Sequence, residues 1–320
     1  MTAAERSLVT GGAGFIGSNL VRALLERGDA VRVLDNLSTG RSSNLDGVRE
    51  GVEFVEGSVA NLATVSRACE GVDRVFHEAA IPSVARSVAA PLASHESNAT
   101  GTLNVLMAAL QAGVSRVVYA SSSSVYGDSD ELPARETFRP KPLSPYAVSK
   151  LAGEQYLGAF HASFGLPTVA LRYFNVFGPR QDPGSEYAAV VPRFATAALT
   201  GGPVTIYGDG QQSRDFTFVG DVVQANLLAA DAPPEAFGRV FNVAYNESHS
   251  VNELLRDIRA LVPDVEQPPP VHAPPRAGEI RDSQADYTAA HEVLGYTPRF
   301  TFRDGLRETV EWFRGESAGS

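Results

Sequence analysis

The chain has 320 residues, enough for two domains, with 43% hydrophobic and 20% charged residues, as in an ordinary globular protein. Its formal charge of −10 opposes binding to nucleic acid or an anionic membrane, and no Lys/Arg-rich block offsets it. A single cysteine, Cys69, excludes an intrachain disulfide and suits a reducing, cytoplasmic setting, where it reads as a small buried hydrophobe.

The first residues show no signal-peptide pattern, and no apolar run approaches the roughly 18 residues a membrane span needs. The six histidines lack metal-ligand spacing, so no metal is expected. In chain order, apolar runs at 7–10, 31–35, 52–56, 74–77, 117–121 and 168–172 read as strands. Segments 15–27, 62–69, 98–112 and 145–164 read as helices between them. That alternation builds a parallel sheet covered by helices on both faces. Gly28 and Gly113 are helix stops.

After about Arg172 the rhythm breaks. Residues 178–184 read as loop, 190–200 as helix, 204–207 as strand, 240–244 as one more buried strand and 251–261 as helix. Residues 303–314 form a last amphipathic helix, and 315–320 a frayed tail. Prolines at 268–270 and 274–275 make a stiff extended stretch, either a surface loop or a scaffold that places Arg276 at a ligand.

Gly11, Gly14 and Gly17 fall between the first strand and the first helix. Glycines in that context allow a tight turn and close backbone approach to a pyrophosphate, beside the free N–H groups of a helix start. Asp35 ends the second strand, where a carboxylate can accept both adenine-ribose hydroxyls and would repel a 2′-phosphate; NAD is therefore favoured over NADP. Asn36, Ser38, Thr39 and Gly40 supply further polar groups at that end. Arg41 could reach a 2′-phosphate or be a solvated loop charge.

Ser144 before Pro145 is a good helix start, a capping hydroxyl followed by proline at the first helical position. Tyr146 and Lys150 then share one helix face. Such a pair is common on surfaces, but here it follows a nucleotide turn and the serine patch Ser121-Ser122-Ser123-Ser124. A tyrosine base working near neutrality needs its pKa of about 10 lowered by roughly three units. The Lys150 ammonium and the helix N-terminus are expected to lower it.

From Thr10 to about Trp312 the chain resembles the extended short-chain dehydrogenase/reductases, in particular the UDP-hexose 4-epimerases, and among these the UDP-N-acetylglucosamine 4-epimerases. The motifs that carry the likeness are Thr10-Gly11-Gly12-Ala13-Gly14-Phe15-Ile16-Gly17, Ser122 ahead of Val125-Tyr126-Gly127, and Tyr146 with Lys150. The resemblance implies a Rossmann-type doubly wound α/β fold with a smaller mixed α/β substrate domain. It implies an NAD-binding domain over 1–174 and 221–246 and a nucleotide-sugar domain over 175–220 and 247–320. Phe15, Ile16, Ser58, Val59, Ala79, Ala80, Asn98 and Tyr173 would join the glycines, Asp35, Tyr146 and Lys150 around the cofactor. A homodimer through helices 98–112 and 145–164 is expected on the same ground.

In this resemblance Ser122 completes the catalytic set and bonds the sugar 4-hydroxyl. Related dehydratases carry Asp-Glu at the next two positions and related decarboxylases carry Glu at the second. Ser123 and Ser124 stand there, so elimination is disfavoured and oxidation at C4 followed by return of hydride to the other face remains. A decarboxylase or dehydratase would show itself by a pentose or keto product. A binding module without chemistry would usually lack the Tyr/Lys pair.

On the substrate side the likeness assigns Asn175, Arg214 and Arg276 to the diphosphate, Glu279 to the uridine ribose, and Val190, Phe194, Thr205 and Tyr207 to the nucleoside. Ser83, Ser123 and Ala189 would face the sugar. Two arginines can hold a pyrophosphate through bidentate bonds. Ser283 matches a position where Tyr confines relatives to glucose and galactose and a small residue admits an N-acetyl group; otherwise it is a small loop residue. UDP-GlcNAc and UDP-GalNAc are therefore the favoured substrates, with UDP-Glc and UDP-Gal as possible ones. Two positions depart from the family pattern: Ser58 stands for a frequent Asp, and Pro82 for a glycine of acetyl-tolerant members.

Overall fold

The computed structural model describes residues 5–129, 131–184, 189–275 and 281–318. Up to Tyr173, strands β1 (Arg6–Thr10), β2 (Ala30–Asp35), β3 (Val52–Glu56), β4 (Arg74–His77), β5 (Arg116–Ser122) and β6 (Thr168–Tyr173) alternate with helices. These are α1 (Phe15–Arg27), α2 (Leu62–Cys69), α3 (Val84–Ala89), α4 (Pro91–His95), α5 (Gly101–Ala112) and α6 (Pro145–Phe164). Then come α7 (Val190–Thr200), β7 (Thr205–Tyr207), β8 (Ser213–Asp215), α8 (Val219–Ala230), β9 (Arg239–Val243) and β10 (Ser248–Ser250). The chain closes with α9 (Val251–Ala260), β11 (Val271–Ala273), α10 (Thr288–Leu294) and α11 (Phe302–Ala318).

Seven strands form one sheet in the order β3-β2-β1-β4-β5-β6-β9, and every pairing is parallel. The sheet is α/β, doubly wound and Rossmann-like. One face is sealed by α1 and α8 through Leu20, Leu24, Ala225 and Ala229 against Val33, Leu171 and Phe241. The other is sealed by α2, α5 and α6 through Val65, Leu106 and Leu157 against Leu8, Val75 and Tyr119. Cys69 lies in that second layer, and burial pushes its thiol up to about 12. Strand order reverses between β1 and β4, which opens a crevice at the carboxyl ends of the strands.

Local signals set the helices that matter. Gly28 ends α1 at φ +92, a left-handed position that Gly adopts without steric cost. Ser144 caps α6, its hydroxyl accepting from Ala147 N at 3.1 Å, and Pro145 is the first helical residue. The expected helix at 98–112 begins as a π-helical turn, Glu96–Thr100, that runs into α5.

Two small sheets stand beside the large one: β10 with β8, antiparallel, and β11 with β7, parallel. The proline-rich stretch is therefore not plain loop, because β11 forms between its two proline runs. Helices α7, α9 and α11 pack around Phe177, Phe216, Phe218 and Phe302. Phe15 and Ile16 at the start of α1 pack against that same cluster, so the two regions share a core.

Candidate active site

A cleft of about 720 Å³ lies at the strand-order reversal, within the size range of small-molecule sites. Gly11, Gly14, Phe15, Ile16, Gly17, Asp35, Asn36, Ser38, Thr39, Gly40, Ser58, Val59, Ala79, Ala80, Tyr146, Lys150 and Tyr173 all line it. Asn98 does not. Its amide is spent inside the fold, accepting from Ile81 N at 2.8 Å and donating to Ile81 O at 3.1 Å, while neighbouring Ser97 reaches the cleft.

The glycine turn has no room for side chains. Gly11 sits at φ +71, and a Cβ there would lie 2.7 Å from Ala79 Cα. A Cβ on Gly17 would lie 2.2 Å from Gly11 O. Gly14 caps α1 with no side-chain bond, and the first turn carries no acidic residue, so its N–H groups suit an anionic pyrophosphate. Asp35 is pinned at the end of β2: Oδ2 accepts from Ala13 N at 2.9 Å and Oδ1 from Leu37 N at 2.8 Å. Burial raises its pKa, and those backbone donors pull it back. Arg41 pairs with Asp182 at 2.6 Å rather than standing free in solvent. These residues fit a dinucleotide with an unmodified adenine ribose.

Tyr146 and Lys150 project from the first turns of α6. Lys150 is buried, and its ammonium donates to Ala120 O at 2.7 Å. It lies 5.9 Å from the centre of the Tyr146 ring. Burial pulls Lys150 down to about 8, against the pull of Glu78 and Glu154. Tyr146 departs from the sequence expectation. Its pKa is raised, chiefly by burial and further by Glu78, while the nearby Ser122 hydroxyl lowers it. The ammonium is committed to a carbonyl of β5, and its charge does not overcome the loss of water around the phenol. Ser122 ends β5 beside Tyr173 of β6, and its hydroxyl also accepts from Ser124 N at 3.2 Å. Ser123 opens the short 3₁₀ turn Ser123–Tyr126 that follows.

The residues expected on the substrate side are more dispersed. Ser83 and Ala189 line the cleft; Ser83 is held at φ +87, and its hydroxyl accepts from Arg86 N at 3.3 Å. Asn175 turns the chain after β6 at φ +36, with Nδ2 donating to Asp215 O at 2.9 Å. Arg214 lies on β8 and donates to the carbonyls of Ser213 and Arg281 at 2.8 and 2.9 Å. Ser283 N donates to Ser213 O at 3.2 Å, which brings the 281–287 segment beside β8. Thr205 and Tyr207 occupy β7, and Val190 opens α7. Phe194 is buried in the core of this region, a packing position rather than a wall of the cleft. Arg276 and Glu279 lie outside the described residues.

Over residues 7–244 the chain matches the NAD dependent epimerase/dehydratase family. The chain belongs to that family. It is an NAD-dependent enzyme of the isomerase class. A UDP-glucose 4-epimerase of Mycolicibacterium smegmatis is 42% identical, over 98% of this chain and 99% of that one. A crystal structure of UDP-glucose 4-epimerase from Thermotoga maritima with UDP-glucose superposes with a TM-score of 0.92 at 39% identity, covering 98% and 99% of the two chains. The UDP-N-acetylglucosamine 4-epimerase of Methanobrevibacter ruminantium, in complex with UDP-N-acetylmuramic acid, gives 0.91 at 39% identity and the same coverage. Among the described residues, no helix of this epimerase/dehydratase family member is long and apolar enough to cross a membrane.

Two features of the enzyme escaped the sequence reading. Glu78 lines the cleft, and Tyr173 Oη donates to its Oε1 at 2.8 Å. A charged residue at the carboxyl end of a buried parallel strand was the available signal. On α6, Glu154 takes a two-pronged bond from Arg172, at 2.8 and 2.7 Å, and a third from Ser121 Oγ. Their side chains are 1% and 4% exposed. The pair joins α6 to β6 and so holds the helix that carries Tyr146 and Lys150 against the sheet.

Proposed function

We propose that the enzyme inverts C4 of a UDP-hexose through a 4-keto sugar, with UDP-GlcNAc and UDP-GalNAc as favoured substrates and UDP-Glc and UDP-Gal as further ones. The observation that carries this reading is the pair of Tyr146 and buried Lys150 on the first turns of one helix, both lining the cleft that also holds the glycine turn and Asp35. Tyr146 accepts the C4 hydroxyl proton, with Ser122 bridging sugar and phenol. Lys150 orients the site and supplies positive charge. The glycine turn and Asp35 would hold NAD, which would supply the hydride acceptor and donor for one turnover. Asn175, Arg214 and Arg276 hold the nucleotide diphosphate while the ketone presents its other face.

Ser123 and Ser124 leave the serine patch without the carboxylates an elimination would use, and Tyr173 ties the one at Glu78. Small Ser283, beside β8, supports room for an N-acetyl group. NAD-binding residues 1–174 and 221–246 and nucleotide-sugar residues 175–220 and 247–320 are the division we adopt. A homodimer is supported by exposed Val148, Tyr156 and Phe164 along α6 and by Val84, Val88 and Leu92 on α3 and α4, which pack beside it.

The test is NMR of product mixtures from UDP-Glc, UDP-GlcNAc and UDP-GlcA without added cofactor. Interconversion of UDP-GlcNAc and UDP-GalNAc is expected; a pentose or a persistent keto product would overturn the reading. Tyr146→Phe should lose ~10²–10⁴-fold in kcat, the usual contribution of an acid–base group.

A further inference from the structure

Glu78 follows β4 directly, and its backbone N donates to Thr10 O at 3.1 Å, so its place is set by the sheet. Its Oε1 accepts from Tyr173 Oη at 2.8 Å, and that oxygen accepts from Asn226 Nδ2 at 2.8 Å. Asn226 is fully buried on α8 and also donates to Val222 O. The Tyr173 proton is thereby committed to Glu78, which fixes the carboxyl in the wall it shares with Tyr146 and Lys150.

We propose that Glu78 is a positioning residue for proton transfer: its carboxyl, anchored by Tyr173, sets how readily the Tyr146 hydroxyl and the Lys150 ammonium release their protons. The proposal rests on the reading of Tyr146 as the group that takes the C4 hydroxyl proton.

The electrostatics follow from the placement. A carboxylate here attracts the Lys150 ammonium and opposes a phenolate at Tyr146, and both effects are present. Burial pushes Glu78 itself up to about 7, against the Tyr173 bond and the Lys150 charge. Its charge therefore changes near neutrality, and that change bears on both neighbours. Among the other ionisable groups nearby, Glu154 also raises Lys150, but it does not act on Tyr146 as Glu78 does. His77, on β4, is held between Thr10 and Thr102, and burial lowers it to about 3 so that it stays neutral. Glu154 of α6 is spent on Arg172 of β6. Tyr173 and Tyr119 are both raised by burial and stay protonated. Asp35 lines the cleft on backbone N–H groups, and Arg41, Arg86 and Arg180 line it too, with burial and then Arg22 pulling Arg180 down to about 10.

Glu78→Gln keeps an oxygen for Tyr173 and removes the charge. Without a carboxylate, the phenol ionises at lower pH and so does the ammonium. Both limbs of the kcat–pH bell should move to lower pH by about half to one unit, with KM for the UDP-sugar little changed. Tyr173→Phe removes the donor that favours charged Glu78. It should move the limbs the same way by less, and it decides the question if Glu78→Gln does not fold. Both limbs staying in place would overturn the proposal, as would a change confined to NAD retention. Tyr146→Phe, run in parallel, separates the two ideas. Substantial residual turnover there sinks the reading of Tyr146, whereas an inactive Tyr146→Phe with unmoved limbs in Glu78→Gln sinks only the role of Glu78.

Discussion

Between Gly11 and Gly40, the cleft is built on contiguous chain: a turn where a Cβ at Gly11 or Gly17 would meet backbone, a bare helix start, and Asp35 clamped by Ala13 N and Leu37 N. Asn175, Arg214 and Ser283, none of which lines that cleft, come from a turn after β6, a three-residue strand and a loop near the far end of the sequence. They meet around one buried carboxylate. Asp215 accepts from Tyr245 N and Asn246 N at 2.9 Å and from Ala285 N at 3.1 Å, tying β8, the turn after β9 and the 281–287 segment together. A cradle made of contiguous backbone tolerates little change, as suits a site for one cofactor. A site gathered from distant short pieces can be retuned one piece at a time, as suits a family that accepts different sugars.

The sharpest way to break this contrast is Gly17→Ala. The new methyl would meet Gly11 O at 2.2 Å and Gly12 Cα at 2.9 Å, both backbone. We expect the cost at the upper end of the ~1–3 kcal/mol typical of overpacking, appearing as loss of NAD on gel filtration with the fold retained by circular dichroism. Full NAD retention would show that the cradle yields more easily than its geometry implies.

Asp215→Asn addresses the other half, with a smaller effect. The amide offers one acceptor oxygen where three backbone N–H groups converge, leaving at least one of them unpaired at a cost of about 1–3 kcal/mol. The expected signature is a raised KM for the UDP-sugar with NAD content unchanged. If NAD content falls in step, the two halves are not separable in the way described.

The same contrast governs what could be read from sequence. The glycine turn, Asp35 and the Tyr146/Lys150 helix are short contiguous patterns with their own caps, and α1 and α6 fall at 15–27 and 145–164 as expected. Helix α8 went unread because it is apolar nearly all round: it lies between α1 and strands β5 and β6 and shows no stripe. Strands β8, β10 and β11 have three residues each, too few for alternation to register. Glu78 and the Glu154–Arg172 pair depend on partners in other elements, Tyr173 and a strand 18 residues on, which no local pattern announces. The raised Tyr146 has the same origin, since burial is a tertiary property.

The two halves are joined at the rim as well as through Phe15 and Ile16. Arg41, in the loop after β2, pairs with Asp182, in the loop after β6, with side chains 54% and 33% exposed. An ion pair that open to water contributes at most about 1 kcal/mol to stability, so Arg41→Ala should leave the thermal midpoint nearly unchanged. Its place at the mouth of the cleft gives it a different readout. NAD release, followed by dilution into an apo-enzyme trap, should quicken by a few-fold in Arg41→Ala. Raising ionic strength should produce the same change in the wild type and little further change in the variant, because salt screens what the substitution removes. Equal release rates at all salt concentrations would mean that the rim pair does not gate the cofactor. The hold of one half on the other would then lie in the shared core, where the first turn of α1 packs against the phenylalanine cluster of the sugar side.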